Sequence, residues 1–425
     1  MKILWITNIL FPDICEELNM PVPVGGGWMY SLAKDLVGVA GIELLVATVY
    51  KGDDLNIIEK DGIRYILLPC QGDSTYYHSA FEKYWLEVRQ RFNPQVIHIY
   101  GTEFAHGLAY VRACGNRGVL VSLQGLVSVC ARYYYAGITE KEIWRNLTFR
   151  DIVRRDTIFR QKRKFVRRGE IEKEYIRSVK YVAGRTEWDR IHAGAINREV
   201  NYCFCNESLR NEFYHHQWSY EHCEKHTLFL SQAEYPLKGL HQVLKALPFV
   251  LNHYPDTKLY VGGRDITAFS GWKDKIRYTG YGRYVASLIK KLKVGKAVVF
   301  TGRLTEKQMC DRYLRAHVFI APSSIENSPN SLGEAQILGV PCIGAYAGGI
   351  PEMITDGETG LLYRFEEYEM LAQKICQLFR DLDFCRKLSV QETEIARERH
   401  NRTNNLLRIM SIYRNMEYAT DAGGL

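Results

Sequence analysis

Apolar residues in this chain fall into short, nearly unbroken runs, separated by stretches in which they recur every three or four positions. Continuous runs of Val, Ile, Leu and Phe predict strands buried on both faces, and the longer period predicts helices with one covered side. In the first half the pattern predicts strands at Lys2–Thr7, Ile42–Val49, Ile63–Leu68 and Val96–Tyr100, and helices at Trp28–Val39 and Phe81–Arg91. The second half repeats it. Strands are predicted at Thr227–Ser231, Lys258–Gly262, Ala297–Thr301, Val318–Ala321 and Cys342–Ala345, with helices beginning near Gly239, Glu306, Ser331 and Tyr368. Strands alternating with helices make βαβ units, and these build parallel sheets covered on both faces.

Length turns this rhythm into two domains. A chain of 425 residues exceeds the roughly 250 to 300 at which single cores stop growing. The fold class is therefore α/β, with two doubly wound parallel-sheet domains, and the junction is expected between Glu199 and Lys225, where His, Asn and aromatic residues break the period. The first domain is assigned residues 1–205 and the second 206–403.

Composition excludes several classes. With 46% hydrophobic and 24% charged residues, the chain has neither a disordered nor a low-complexity signature. No apolar run reaches the roughly 18 to 20 residues of a membrane span. Ile3–Phe11 is interrupted by Thr7 and Asn8, which argues against a signal-peptide core. Eleven cysteines form an odd, scattered set whose tightest pair, Cys203 and Cys205, lacks zinc-ribbon spacing. Free thiols in a cytoplasmic protein are expected.

The net charge is +8, and Arg145–Arg168 alone holds ten Lys or Arg against Asp151 and Asp156. The rest of the chain is balanced. One basic block predicts a local electrostatic contact. Phe149, Ile152, Phe159 and Val166 fall on one helical stripe, so the segment is expected to dock peripherally on an anionic inner membrane leaflet. Nucleic-acid binding through residues 145–168 is the rival, but no base-reading module accompanies the charge.

Parallel sheets bind ligands outside the carboxyl ends of their strands, at the point where strand order reverses. Residues Val318–Ala335 read VFIAPSSIENSPNSLGEA: strand, polar loop, then a helix start. Backbone N–H groups at a helix start attract phosphate. Glu326 in the loop and Glu334 in the helix would flank such a phosphate with acceptors for sugar and ribose hydroxyls. A capping box from Ser331 to Glu334 and a solvated loop acid at Glu326 are the rival readings.

Glu326 and Glu334 are followed by Gly339-Val340-Pro341, Gly348-Gly349-Ile350-Pro351-Glu352, Gly357 and Gly360-Leu361-Leu362. This ordered set resembles the family 4 retaining glycosyltransferases of the GT-B fold, in which two Rossmann-like domains face each other across a cleft. The resemblance is strongest from Thr227 to Leu362 and weakest from Gly137 to Gly169. It implies that Glu326 binds the donor sugar, Glu334 the nucleotide ribose, Lys238 the donor phosphates, and the amides of Asn330, Ser331 and Leu332 the diphosphate. Gly25-Gly26-Gly27 matches the family's glycine-rich loop near those phosphates. A helix over residues 404–425 is expected to cross back to the first domain.

Two departures stand out. Gln232 occupies a position that is often arginine, and a neutral amide cannot replace a guanidinium; Arg303 is the expected compensation. Gln124 stands where many members have histidine. Thr102, Glu103 and Gln124 follow strands and are expected on the acceptor side, whereas His98 and His106 read as structural.

No carboxylate announces itself as a nucleophile, and the resemblance implies a front-face substitution in which the protein positions reactants and stabilises the leaving group. The only D-x-D, Asp381-Leu382-Asp383, lies in a late helical region. The expected enzyme is thus a retaining glycosyltransferase with no metal or other cofactor, taking a nucleotide sugar as donor and a glycan or lipid-linked acceptor in surface polysaccharide or glycoconjugate assembly. The alternative is a catalytically inactive sugar-nucleotide-binding paralogue.

Overall fold

The computed structural model describes residues 1–22, 26–268 and 278–422. Two compact units divide the chain: Met1–Ser128, Val166–Arg210 and His400–Leu425 form the first, and Val129–Phe165 with Asn211–Arg399 the second. The expected span 1–205 assigned Val129–Phe165 to the first domain. Its contacts explain the difference: His241 Nε2 lies 2.7 Å from the Ala136 carbonyl, and Arg283 donates to the Leu147 carbonyl at 2.8 Å.

The first unit is an eight-stranded sheet of β1 (Lys2–Ile6), β2 (Glu43–Tyr50), β3 (Asn56–Lys60), β4 (Ile63–Pro69), β5 (Val96–Tyr100), β6 (Val119–Ser122), β7 (Tyr181–Gly184) and β8 (Asn201–Phe204). Their spatial order is β3-β4-β2-β1-β5-β6-β7-β8. All neighbours are parallel except β3 and β4, which pair antiparallel across Asp61-Gly62. Both turn residues have positive φ, the conformation that an Asp-Gly hairpin favours.

The terminal helix Arg402–Ala422 closes this unit. Its Tyr413 hydroxyl accepts the Trp5 Nε1–H at 3.0 Å and lies 2.5 Å from His98 Nδ1. Burial holds the His98 pKa down to about 3, so the ring is neutral. Its Nε2 lies 2.7 Å from Ser122 Oγ, so each ring nitrogen has a hydroxyl partner. The helix is further clamped by Arg402, which reaches both Asp35 oxygens at 2.9 and 3.1 Å.

The second unit contains β9 (Thr227–Leu230), β10 (Lys258–Val261), β11 (Val298–Phe300), β12 (Val318–Ala321), β13 (Cys342–Ala345) and β14 (Leu361–Tyr363). All are parallel, in the order β11-β10-β9-β12-β13-β14. Renumbered within the unit this is 3-2-1-4-5-6, the Rossmann order, whose switch point lies between β9 and β12.

The basic segment is not one amphipathic helix. It divides into Glu140–Arg145, Phe149–Val153 and the start of Ile158–Ser178. Thr148 and Thr157 each accept the backbone N–H three residues on, at 3.2 Å, and so restart the helix. Arg155, at φ +50°, turns the chain between them. The expected stripe of Phe149, Ile152, Phe159 and Val166 is thereby split between two helices.

Replacing Tyr413 with Phe leaves the Trp5 N–H and His98 Nδ1 without their partner in a buried setting. We expect a loss of about 1–3 kcal/mol, read as a lower urea midpoint.

Candidate functional site

The switch point of the second unit is framed by the loops that leave β9 and β12. The β9 loop runs through Tyr235-Pro236-Leu237-Lys238 to the helix Leu240–Leu251, and the β12 loop through Glu326 to the helix Asn330–Leu338. Lys238 Nζ meets Glu326 Oε2 at 2.9 Å. Desolvation favours the neutral amine, but the Glu326 carboxylate, with Tyr235 beside it, reverses that and holds the Lys238 pKa above its ordinary value. Both side chains are only partly buried, so the pair is accessible to an incoming anion.

Two glycines allow this meeting. Gly239, at φ +73°, ends the β9 loop so close to the β12 loop that a Cβ would stand 1.7 Å from the Pro322 carbonyl oxygen. Ser324 N–H then donates to the Leu237 carbonyl at 2.8 Å. On the other side Gly348, at φ +61°, leaves room for the Glu326 backbone, whose carbonyl oxygen would be 1.9 Å from a Cβ and accepts from Gly349 N–H at 2.9 Å. The Glu326 backbone is thus held by the turn after β13. The G-G-I-P-E motif is where that turn is encoded.

The helix Asn330–Leu338 begins after Pro329, which supplies no side-chain cap. Ser331 lies inside the helix, so Ser331 and Glu334 do not form a capping box. Glu334 is buried one turn into the helix. Of the amides expected to face a diphosphate, Leu332 N–H is committed to the Pro329 carbonyl at 2.9 Å, and the Ser331 carbonyl accepts the Tyr313 hydroxyl at 2.9 Å. Arg303 is exposed in the loop after the edge strand β11, two strand spacings or about 10 Å from β9. Gln232 is exposed in the β9 loop itself. Tyr235, absent from the sequence-based site, lies with its ring 5.8 Å from Lys238 Nζ; its signal was only its place beside the Pro-Leu-Lys-Gly turn.

Asp381 accepts Phe384 N–H at 2.9 Å at the start of the helix Leu382–Arg399. Asp381 is therefore a helix cap, and Asp383, within the first turn, lies 3.9 Å from Arg386. Among the described residues no group of three His, Cys, Asp or Glu is placed to hold a metal ion.

The first unit has its own switch point, between β1 and β5. Gly26, at φ +82°, precedes the helix Gly27–Val37; Gly25 lies outside the described residues. Asn8 donates from the β1 loop to the Tyr100 carbonyl at 3.0 Å and to Glu103 Oε2 at 3.4 Å. Desolvation, assisted by Glu172, pushes the Glu103 pKa up to about 7. Thr102 is turned inward, donating to Glu172 at 2.7 Å. Gln124 Nε2 donates to Glu207 at 2.7 Å, and Glu207 also pairs with Arg185 at 2.5 Å. His106 is buried, lies 3.0 Å from the Thr7 carbonyl, and has its pKa lowered by burial to about 4.

Residues 212–394 match the family model "Glycosyl transferases group 1". Sulfoquinovosyl transferase of Arabidopsis thaliana is 33% identical over 126 residues, covering 28% of this chain and 24% of that protein. A GDP-mannose-dependent monoacylated α-(1-6)-phosphatidylinositol monomannoside mannosyltransferase of Corynebacterium glutamicum is 29% identical over 154 residues, covering 34% and 36%. The matches span only about a quarter to a third of these relatives' lengths. Among solved structures, sucrose-phosphate synthase of Thermosynechococcus elongatus superposes with TM-score 0.73 at 18% identity, covering 99% of this chain and 100% of that one. HepE of Anabaena, in complex with UDP-glucose, gives 0.63 at 14% identity over 98% and 100%. The chain has the GT-B fold, with two Rossmann-like α/β units.

Two measurements check this geometry. Gly348→Ala places a methyl against the Glu326 carbonyl in a left-handed conformation, and we expect about 1–3 kcal/mol of destabilisation in urea unfolding. Glu103 binds its proton more tightly folded than unfolded, so its contribution is complete below about pH 4.5 and is lost as pH rises towards 7. Glu103→Gln should therefore flatten the pH dependence of stability in that window, by at most about 1.4 kcal/mol per pH unit.

Proposed function

We propose, for a chain whose residues 212–394 belong to the group 1 glycosyl transferases, that it moves a sugar from a nucleotide-activated donor with retention of anomeric configuration and without an essential metal. The observation that carries this reading is the Lys238–Glu326 pair at the β9/β12 switch point, where a doubly wound sheet accepts a nucleotide.

In the resting protein Glu326 neutralises Lys238. A nucleoside diphosphate entering the crevice offers Lys238 a second anionic partner, and a donor sugar offers Glu326 hydroxyl donors in place of the ammonium. Lys238 and the Asn330–Leu338 helix start stabilise charge that grows on the leaving diphosphate, which is the electrostatic contribution that counts most in group transfer. Glu334 binds the ribose. Within the first unit, Gly26 and Gly27 offer backbone N–H groups to a phosphate, and Glu103 and Gln124 offer polar groups to an acceptor.

The relative named for a phosphatidylinositol monomannoside supports a lipid-linked or growing glycan as acceptor. A panel of labelled uridine, guanosine and adenosine diphosphate sugars tests the reading: one donor should be hydrolysed slowly or transferred. Bound donor without turnover would identify a non-catalytic binding protein instead.

Glu326→Gln should lower kcat at least about a hundredfold while nucleoside diphosphate binding persists, because Lys238 remains. Turnover near wild type would sink the assignment. Glu334→Gln should act mainly on the donor KM, since a ribose contact is felt equally in ground and transition states; a fall in kcat alone would contradict that role.

A further inference from the structure

The short helix Phe149–Val153 is inside out. Its one acid, Asp151, is 1% exposed, whereas Phe149, Ile152 and Val153 are 68%, 62% and 62% exposed. Water favours the opposite arrangement. The inversion is fixed by specific bonds: Asp151 accepts Gly280 N–H at 2.7 Å, at the start of the helix Gly280–Leu292. Arg150 pairs with Asp151 at 3.1 Å and with Asp156 at 2.8 Å. Trp144, on the preceding helix, is 63% exposed and has its ring 5.1 Å from Phe159.

The exposed charges around these apolar residues are mostly positive, with Glu140, one turn before Trp144, as the exposed exception. Arg145, Arg154, Arg155, Arg160, Arg163 and Lys164 are exposed, and the only acids between Trp144 and Phe165 are Asp151 and Asp156, both held in internal pairs. All these residues belong to the second unit. Apolar side chains at the centre with guanidinium groups around them match the boundary of an anionic bilayer, where the former reach the acyl chains and the latter the phosphates. A second copy is a poorer occupant, since a two-fold contact sets this positive rim against itself.

We propose that Trp144, Phe149, Ile152 and Val153 form a membrane-docking surface that enters the headgroup region of an anionic bilayer, with Arg154 and Arg155 on lipid phosphates. The surface requires no assumption about transferase chemistry. Its test uses the full chain without donor, sedimented with phosphatidylcholine vesicles with or without phosphatidylglycerol.

Binding should require phosphatidylglycerol and weaken with added salt. It should fall about tenfold or more in F149S/I152S/V153S and also in R154Q/R155Q, with thermal melting confirming that both variants are folded. Tryptophan emission should be quenched by brominated phosphatidylglycerol less in W144F than in the parent. No binding, equal binding to both vesicles, or binding undiminished in both variants would overturn the proposal. So would a concentration-dependent dimer in sedimentation velocity that the triple variant abolishes, because the covering partner would then be a second copy.

Discussion

The candidate donor site depends on the absence of two β-carbons. Three strand-to-helix loops of the second unit converge at the carboxyl ends of β9, β12 and β13, and each must approach its neighbour's backbone more closely than a side chain permits. Gly239 admits the Pro322 carbonyl and Gly348 admits the backbone of Glu326. Only with both in place does Glu326 stand opposite Lys238 at 2.9 Å. The carboxylate is held through its main chain and the lysine through the turn behind it, so both are pre-positioned before any ligand arrives.

Much of this was legible because parallel strands buried on both faces leave a continuous apolar signature. Val318–Ala321 and Cys342–Ala345 are found at the residues the pattern predicts. Length alone does not explain what was missed, since β7 and β8 have four residues like β12 and β13; β8 is an edge strand with no buried side chain, and β14 has only three residues. The hairpin of β3 and β4 was missed although its Asp-Gly turn was present. In the site, Glu326, Glu334 and Lys238 carried local signals, namely loop position, spacing and a neighbouring Pro or Gly. The pairing of Lys238 with Glu326 had none, because it joins residues 88 positions apart and arises from strand order.

The Ser331–Glu334 spacing and the basic block show the converse, in which a correct local pattern gives a wrong local structure. S-x-x-E has capping-box spacing, yet Pro329 begins the helix earlier and makes Ser331 an interior residue. Likewise Phe149, Ile152, Phe159 and Val166 at helical spacing suggested one amphipathic stripe through the basic segment, and two threonine caps divide it. In both cases a residue with a strong backbone preference overrode a side-chain periodicity.

The first unit is assembled from both ends of the sequence, since Trp5 of β1 and Tyr413 of the last helix share a hydrogen bond across 408 residues. On a ribosome adding 5 to 20 residues per second, that partner arrives roughly 20 to 80 s after Trp5 is made. During this interval the nascent sheet exposes the apolar face later covered by Ile409, Met410, Tyr413 and Met416, whereas the second unit has its whole sequence by Arg399. The order of completion is thus the reverse of the order of synthesis. The half that begins first is the half that is completed last.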